Sequence, residues 1–315
     1  MLHNCLLTAI WVAAAGPVKG DLALNTIARR NFLRSASAAV LGLSTFPICC
    51  AVGAPPKRKR LLYFTASVGF EHTPVACADG KPSCSDRVMM EFGRRGGFDV
   101  DCTKDGRVFD GDLDRYDAFA FYTCGDFLQP GMHNTPPMTP RGKQKLLDAV
   151  AAGKGFVGFH STSFTVPSQG DQIDPFLVML GGEFVTHGEP QEAALILVPD
   201  FPGGRDLGCA EGLSFTDEWY SLKNFAKDLH VILVQETKYL KGDCYRRPDY
   251  PSTWARKHGQ GRVFYTSLGH FNEIWTNPFF QAITMGGLSW ALGNAEADIR
   301  PNLDKVTPHA NQLKS

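Results

Sequence analysis

Three histidines of the chain follow segments that have the pattern of a buried strand. His72, His160 and His270 each come at the end of an apolar run, and His187 follows a glycine-rich bend. Imidazole changes its charge near neutral pH, so it can act as a general acid, a general base or a metal ligand. One such histidine alone is more often a structural residue. Three of them predict a shared pocket, because the carboxyl ends of parallel strands lie at one edge of a sheet.

An acidic pair, Asp217 and Glu218, stands close to the aromatic residue Tyr220. Two carboxylates beside an aromatic ring are typical of a site that handles protons or binds hydroxyl groups. A surface pair at the start of a helix is the alternative interpretation. We therefore expect one of these carboxylates to be the partner of the histidines, and the candidate catalytic set is His72, His160, His270, Asp217 and Glu218.

A divalent metal such as zinc is a second use for the same histidines. Imidazoles and a carboxylate around an open position form a catalytic metal site. The spacing His-Glu-x-x-His does not occur, so the metal rests on the number of histidines alone. The candidate ligands are His72, His160, His187 and His270.

The helix and the strand that must position His160 have clear start and stop signals in the sequence. Gly155–Phe159 is a short apolar run between glycines, too short for a helix, and predicts a buried strand. Thr139-Pro140 before an amphipathic stretch, closed by Gly153, predicts a helix that precedes the strand. A helix followed by a buried strand is half of a parallel α/β unit.

The same alternation extends along the chain and predicts an α/β fold. Apolar runs at 60–66, 98–102, 116–122 and 155–159 predict strands, with helices from about Ser85 and from Pro140. This order predicts a doubly wound, mostly parallel sheet in a three-layer α/β/α arrangement. Further along, the pattern predicts a short helix at 176–180, a loop at 181–188, strands at 193–198 and 231–237, a hairpin of 252–257 with 261–267, and a last helix from Pro278.

The composition of the chain limits the classes of ligand and partner that we expect. The chain has 315 residues, of which 43% are hydrophobic and 20% are charged, with a formal net charge of zero. Without residues 1–51 the balance is 28 basic against 31 acidic side chains, which does not favour nucleic acid as a partner. The loops after the first strands have no Gly-x-Gly-x-x-Gly or phosphate-loop pattern, so no nucleotide cofactor is expected.

The N-terminal residues have the features of a targeting signal. Arg29-Arg30-Asn31-Phe32-Leu33-Arg34 precedes an uncharged, weakly apolar stretch from Ser35 to Ile48, and cleavage is expected after Ala51 or Ala54. This pattern is similar to a twin-arginine (Tat) export signal, which predicts the Tat machinery as a partner and a periplasmic or otherwise exported protein without a stable membrane span after processing. We expect residues 1–54 to be the signal and leader, 58–294 the α/β domain, and 295–315 a polar, frayed tail.

Cysteines contribute no recognisable motif. Six remain after residue 51, and none has the spacing of a zinc knuckle or of a Cys-x-x-Cys redox pair. Cys77 and Cys84 lie in one predicted loop and could form a disulfide in an oxidising compartment.

Five segments resemble the ThuA-like, or trehalose-utilisation, family, in the family's order over roughly residues 60–293. They are S-V-G-F-E-H at 67–72, G-F-V-G-F-H-S at 155–161, G-G-E-F-V-T-H at 181–187, D-E-W-Y at 217–220 and P-S-T-W-A-R…G-Q-G-R-V-F-Y-T-S-L-G-H at 251–270. The resemblance implies a flavodoxin-like, class I glutamine amidotransferase-like fold and a role in the metabolism of trehalose and related disaccharides, including keto-sugars. Amidotransferases of this fold have a nucleophilic cysteine after the central strand, where this chain has His160, so the resemblance excludes Cys-dependent acyl transfer.

These observations leave two functions from different classes. The first is an enzyme that acts on a sugar or keto-sugar, an isomerase, lyase or hydrolase, with substrate-binding groups Phe70, Ser161, His187, Tyr220, Trp254 and Arg262. The second is a non-catalytic carbohydrate-binding module that works with a partner dehydrogenase or hydrolase. In either case the expected partner is a small-molecule carbohydrate.

Overall fold

A nine-stranded sheet runs through the part of the chain that the structure, a computed structural model, describes, namely residues 57–204 and 213–314. The strands are β1 (Arg60–Phe64), β2 (Asp99–Thr103), β3 (Ala118–Phe121), β4 (Gly155–Phe159), β5 (Glu183–His187), β6 (Gln191–Leu197), β7 (Leu213–Asp217), β8 (Tyr220–Lys223), β9 (His230–Gln235), β10 (Tyr250–His258) and β11 (Gly261–Thr266). The helices are α1 (Cys84–Gly96), α2 (Pro140–Ala151), α3 (Pro175–Leu180), α4 (Asn272–Thr276), α5 (Pro278–Ala291) and α6 (Leu303–Val306).

The order of strands across the described sheet is β2-β1-β3-β4-β11-β10-β9-β6-β7. The first five are parallel to one another, and the last four alternate in direction. β5 and β8 form a separate antiparallel pair. β7 and β9 run in the same direction as β4 and the other parallel strands. Most strands therefore share one direction, and the sheet is mostly parallel, as the sequence predicts.

The two faces of the sheet are covered by different helices. In β1, Leu61 and Tyr63 pack into one core with residues of α1 and α5, whereas Leu62 and Phe64 pack into a second core with residues of α2 and α3. Strand side chains alternate between faces, so a strand that is apolar throughout is buried on both sides. This arrangement confirms the predicted α/β fold with a doubly wound, three-layer organisation.

Side chains at the helix starts support the predicted boundaries. Thr139 accepts a hydrogen bond from the backbone N–H of Gly142 at 2.9 Å, and Pro140 is the first residue of α2. Asn277 does the same for the N–H of Phe279 at 2.9 Å, ahead of Pro278 in α5. Both caps satisfy N–H groups that the first helical turn leaves without partners.

The structure differs from the sequence prediction in three segments, and in addition β7, β8 and α4 have no counterpart in the prediction. The stretch 181–188, predicted as a loop, contains β5, and the first strand ends at Phe64 rather than at residue 66. The C-terminal tail is not frayed as predicted, because Asn302 exchanges two hydrogen bonds with the backbone of Val231 and Asn311 exchanges two with that of Phe225. Amide side chains that pair with both backbone groups of a residue act like an added strand.

Residues Pro56–Ser315 form one compact unit. The predicted export signal lies outside the described residues. Within them, no helix combines the length and the apolar character that a membrane span requires. Cys77 and Cys84 are free thiols, so the disulfide that the sequence allows between them is absent from the structure.

Candidate active site

Three histidines and one carboxylate converge at the carboxyl edge of the sheet. His72, His160, Glu218 and His270 each present one ligand atom, and these four atoms lie within 4.8 Å of one another. His72, His160 and Glu218 are buried, and His270 is partly exposed. The cluster therefore has a closed floor and an open side.

Strand ends supply most of these residues. His160 is the first residue after β4, Glu218 is the first after β7, and His270 follows β11 by four positions. His72 lies further from its strand, eight residues after β1, where it precedes a short 3-10 turn at Thr73–Val75. The sequence predicts strand ends for His72, His160 and His270, and the last two follow their strands closely, whereas His72 reaches the cluster through a longer loop. The strand end before Glu218 is not predicted.

The distances between three of the four ligand atoms are those of ligands around one cation, and the ligand atom of His72 lies within 4.8 Å of them. His160 Nε2 lies 3.2 Å from His270 Nδ1 and 3.4 Å from Glu218 Oε2, and the last two atoms are 3.1 Å apart. Ligands held at about 2.0–2.1 Å by a tetrahedral zinc ion lie roughly 3.3 Å from one another. The residues present therefore fit a small divalent cation.

Hydrogen bonding to the backbone fixes the orientation of His160. Its Nδ1 lies 2.7 Å from the carbonyl oxygen of Ser267. A carbonyl oxygen only accepts, so Nδ1 carries the proton and, in the neutral ring, Nε2 has a free lone pair. Metal-binding histidines are usually held in this way, with the second nitrogen donating to a carbonyl or carboxylate. The lone pair of His160 thus points at His270 and Glu218.

Burial and charge set the ionisation of the cluster. Burial, together with the neighbouring His160 and His270, lowers the pKa of His72 to about 2, so this imidazole is neutral at pH 7. Burial tends to raise the pKa of Glu218, but the imidazoles of His160 and His270, which donate to its carboxylate in their protonated forms, outweigh it and hold this pKa well below its usual range. A neutral imidazole and an ionised carboxylate are the forms that bind cations.

Asp217 supports the cluster from behind instead of joining it. Its carboxylate accepts hydrogen bonds from the backbone N–H groups of Gly269 at 2.9 Å, His270 at 3.2 Å and Glu218 at 3.0 Å. Burial raises the pKa of Asp217 above its usual range, although His160 and the backbone donors oppose the rise. Asp217 therefore joins the end of β7 to the loop after β11, and both carry cluster residues.

His187 and Tyr220 form the side of the site that belongs to the β5–β8 pair. His187 is exposed, and its Nδ1 lies 3.2 Å from Glu218 Oε1, the carboxylate oxygen that faces away from His160. The ring of Tyr220 packs on His160, with centroids 4.1 Å apart. His187 therefore orients Glu218 and is not one of the four convergent groups, although the sequence makes it a candidate ligand.

Phe70 and Ser161 lie beside His72. Phe70 is 55% exposed, and its ring and that of His72 are in an edge-to-face arrangement with centroids 4.7 Å apart. Ser161 Oγ lies 3.5 Å from His72 Nδ1. An exposed aromatic ring at the opening of a polar cluster offers a flat apolar surface to a ligand.

Two predicted binding residues lie elsewhere. Trp254 is fully buried in β10, and its indole N–H donates to the carbonyl of Leu180 at 2.8 Å. Arg262 is near the start of β11, at the amino edge of the parallel strands, where it pairs with Glu296 at 2.7 Å. Trp254 therefore stabilises the core. Arg262 stabilises the edge of the sheet opposite to the histidine cluster.

Sequence reasoning missed two tyrosines that hold the cluster in place. The Tyr265 hydroxyl donates to the backbone carbonyl of His160 at 2.7 Å. The Tyr122 hydroxyl donates to the carbonyl of Gly269 at 2.9 Å, and its ring lies 5.4 Å from that of His72. Both tyrosines lie near the carboxyl ends of their strands, β11 and β3. This position is the one feature of the sequence that could have identified them.

Fold and site together define an α/β protein with a histidine–carboxylate centre at the carboxyl edge of its sheet. The sequence profile of the ThuA family, described as trehalose utilisation, matches residues 60–291, and the chain belongs to this family. Two solved structures share the fold. A putative ThuA-like protein from Bacteroides uniformis has a TM-score of 0.56 and 18% identity over 77% of this chain and 94% of its own. A second, from Parabacteroides merdae, has a TM-score of 0.55 and 16% identity over 77% and 92%. No curated protein matches the chain.

Proposed function

We propose that the chain is an enzyme that acts on a sugar or keto-sugar in the metabolism of trehalose or related disaccharides. One observation carries the proposal, namely the convergence of His72, His160, His270 and Glu218 at the open edge of the sheet in a family described as trehalose utilisation. Buried imidazoles around an ionised carboxylate are costly to assemble, because each must lose its hydration. Such clusters are typical of functional sites.

The chemistry that these residues support is the movement of protons between carbon and oxygen. His270 is the most exposed imidazole of the cluster, with 16% of its side chain accessible, and so it is placed to meet a substrate. Isomerisation, elimination and hydrolysis of a keto-sugar each need a base for one proton and an acid for another. In the metal-free cluster, Glu218 would stabilise the imidazolium form of its neighbours.

We further propose that the cluster binds a divalent cation such as zinc. Three imidazole nitrogens and one carboxylate oxygen form the donor set that zinc and similar late first-row ions prefer. When bound, such an ion polarises a carbonyl or hydroxyl oxygen of the substrate. His72, His160, His270 and Glu218 would hold it, while Asp217 and His187 orient those ligands.

Deuterium exchange tests the enzymatic proposal. The full-length protein is incubated in deuterium oxide with a keto-disaccharide or its parent sugar, and NMR follows the carbon positions next to the carbonyl. We expect exchange or product formation with the keto-sugar, lost in His160→Ala and His270→Ala and retained in His258→Ala, which alters a histidine of the β10–β11 turn. Unchanged turnover in both cluster variants would refute the assignment.

The alternative is a carbohydrate-binding module, and Phe70 is the observation that favours it. Its exposed ring provides a surface for the C–H face of a sugar whether or not chemistry follows. A module binds the sugar but gives neither exchange nor product at any pH. In that case the imidazoles serve as hydrogen-bond partners.

We also propose that the protein is exported through the Tat machinery to the periplasm. The proposal rests on Arg29-Arg30 and the uncharged stretch that follows. Fractionation of cells that express the full chain and an Arg29→Lys, Arg30→Lys variant tests it. Equal amounts of both forms in the periplasmic fraction would contradict it.

A further inference from the structure

A second cavity, of about 410 Å3, lies at the amino edge of the parallel strands. It is at the opposite end of β4 from His160, about 16 Å away along that strand. Its polar lining comes from the residues that precede β1, β3 and β4 and from the β10–β11 hairpin, and the end of α5 closes one side. The charged and amide side chains in the lining are Lys59, Asp117, Lys154, Lys257, Gln260 and Arg262.

Positive charges stand side by side across neighbouring strands in this cavity. Lys257 of β10 is directly opposite Arg262 of β11 in the antiparallel register. Arg262 is in turn paired with Gly155 of β4, the residue after Lys154. Like charges directly opposite each other on two strands destabilise a sheet. An anion between them would remove that repulsion.

Two of these cationic side chains, Arg262 and Lys59, have partners within the protein. Arg262 donates to the carbonyls of Trp290 and Ala295 at the end of α5 and pairs with Glu296. Lys59 pairs with Asp117 at 3.2 Å. The carboxyl end of a helix attracts cations, so these contacts account for the position of Arg262.

The contacts of Lys257 leave its charge without a partner of opposite sign. Its Nζ donates to the carbonyl of Gln260 at 3.2 Å, and it forms no ion pair within 4.0 Å with any residue that the structure describes. Burial and the nearby Arg262 lower the pKa of Lys257. Lys154 also donates to a backbone carbonyl, that of Tyr116, at 2.5 Å, but its Nζ lies 3.9 Å from the exposed carboxylate of Asp114. Of the cationic groups described in this lining, the ammonium group of Lys257 is therefore the one that is available to an anionic ligand without the loss of an ion pair.

We propose that this cavity binds the phosphoryl group of a small phosphate monoester. Lys154, Lys257 and Arg262 would contact the phosphoryl oxygens, with Lys59 at the rim. A phosphate group carries about −1.5 to −2 charges at pH 7 and would supply the counter-charge that Lys257 lacks. The volume is that of a small ligand site, which leaves room for an organic group beside the phosphate.

The proposal is independent of the carbohydrate function, because the cavity and the histidine cluster are at opposite edges of the sheet. Chelation of metal from the full-length protein is expected to leave phosphate binding unchanged. Loss of binding on chelation would contradict the separation of the two sites.

Isothermal titration of the full-length protein with glycerol 1-phosphate and with inorganic phosphate, at constant ionic strength, tests the proposal. We expect the ester to bind, and Lys257→Gln to bind it on the order of tenfold more weakly, because a nearby charge is lost. Asp117→Asn removes the one carboxylate in the lining and is expected to tighten binding, while its amide oxygen can still accept from the backbone N–H of Arg60. Lys238→Gln, an exposed lysine outside the cavity, is the control.

Opposite effects of Lys257→Gln and Asp117→Asn cannot arise from misfolding. No binding of either ligand to the wild-type protein overturns the proposal. Equal affinities in all variants also overturn it, and indicate an adventitious ion only. Binding of inorganic phosphate that is as tight as that of the ester overturns the assignment of an ester.

Discussion

Nε2 of His160 lies 3.2 Å from Nδ1 of His270, although 110 residues separate the two along the chain. The register of β4 and β11 explains the approach, because Phe159 pairs with Thr266 at the ends of these parallel strands. The next residues, His160 and Ser267, therefore meet, and the loop after Ser267 turns His270 onto the same point. The site depends on this register more than on any single loop.

Asp217→Asn is expected to weaken both stability and metal retention. The carboxylate accepts from three backbone N–H groups, and an amide can offer only one acceptor oxygen to them. We expect the free energy of unfolding to fall by about 1–3 kcal/mol. Metal affinity should fall roughly 10- to 100-fold, as for other groups that orient ligands.

Denaturant unfolding and metal titration measure the two effects of Asp217→Asn. Asp304→Asn, at an exposed position of α6, is the matched control. Wild-type values for both quantities would show that Asp217 does not hold the loop.

His160 has a backbone strain that can be separated from its imidazole. Its φ is +42°, in the left-handed region that residues with a Cβ seldom adopt. We expect His160→Gly to be more stable than His160→Ala by about 1 kcal/mol, because glycine adopts this conformation without strain. At His72, where φ is −70°, the order should reverse.

Thermal and denaturant unfolding of these four metal-free variants provides the comparison. Since both substitutions at each position remove the ring, the difference between them reports the backbone. If alanine is equal to or better than glycine at position 160, the strain is absent.

Tyr265→Phe should destabilise the protein, since the hydroxyl donates to the carbonyl of His160 and lies 2.8 Å from Ser163 Oγ. Its removal leaves the buried carbonyl of His160 with the Ser163 hydroxyl, at 3.3 Å, as its side-chain donor, and is expected to lower the free energy of unfolding by about 0.5–1.5 kcal/mol. Tyr250→Phe is the matched control, because that buried hydroxyl has no partner among the described residues. Equal losses in the two variants would contradict the role of Tyr265.

Phe70→Ala should weaken sugar binding and leave metal content unchanged. The ring is largely exposed and contacts His72 only by its edge, so its removal leaves the ligand set intact. The dissociation constant for a bound sugar should rise about threefold to tenfold, the usual value of one aromatic contact. Calorimetry measures it, with Tyr239→Ala, a 70% exposed aromatic, as control. Unchanged affinity would remove Phe70 from the binding surface.

The sequence predicts the parallel half of the fold well because its signals are local. Glycine-bounded apolar strands and the caps of α2 and α5 need no knowledge of distant residues. The strand β5 was missed because it pairs only with β8, and a short exposed strand lacks a strong apolar alternation. The C-terminal tail was misjudged for a related reason, since its anchors are single asparagines.

The site was predictable in composition but not in detail. Predicted strand ends identify His160 and His270, because topology brings those ends together. Glu218 is identified only as a member of the acidic pair beside Tyr220. Trp254 and Arg262 misled the prediction since residue type shows neither burial nor the edge of the sheet at which a side chain lies. The supporting hydroxyl of Tyr265 becomes visible only once the register of β4 and β11 is known.

The most direct test of the account is the metal content of the purified full-length protein, measured by mass spectrometry after incubation with zinc and removal of excess ion. The account predicts close to one divalent ion per chain in the wild type and in His258→Ala. It predicts loss of that ion in His160→Ala and in His270→Ala. A wild-type protein without bound metal, or full occupancy in both cluster variants, would contradict the assignment of the cluster as a metal site.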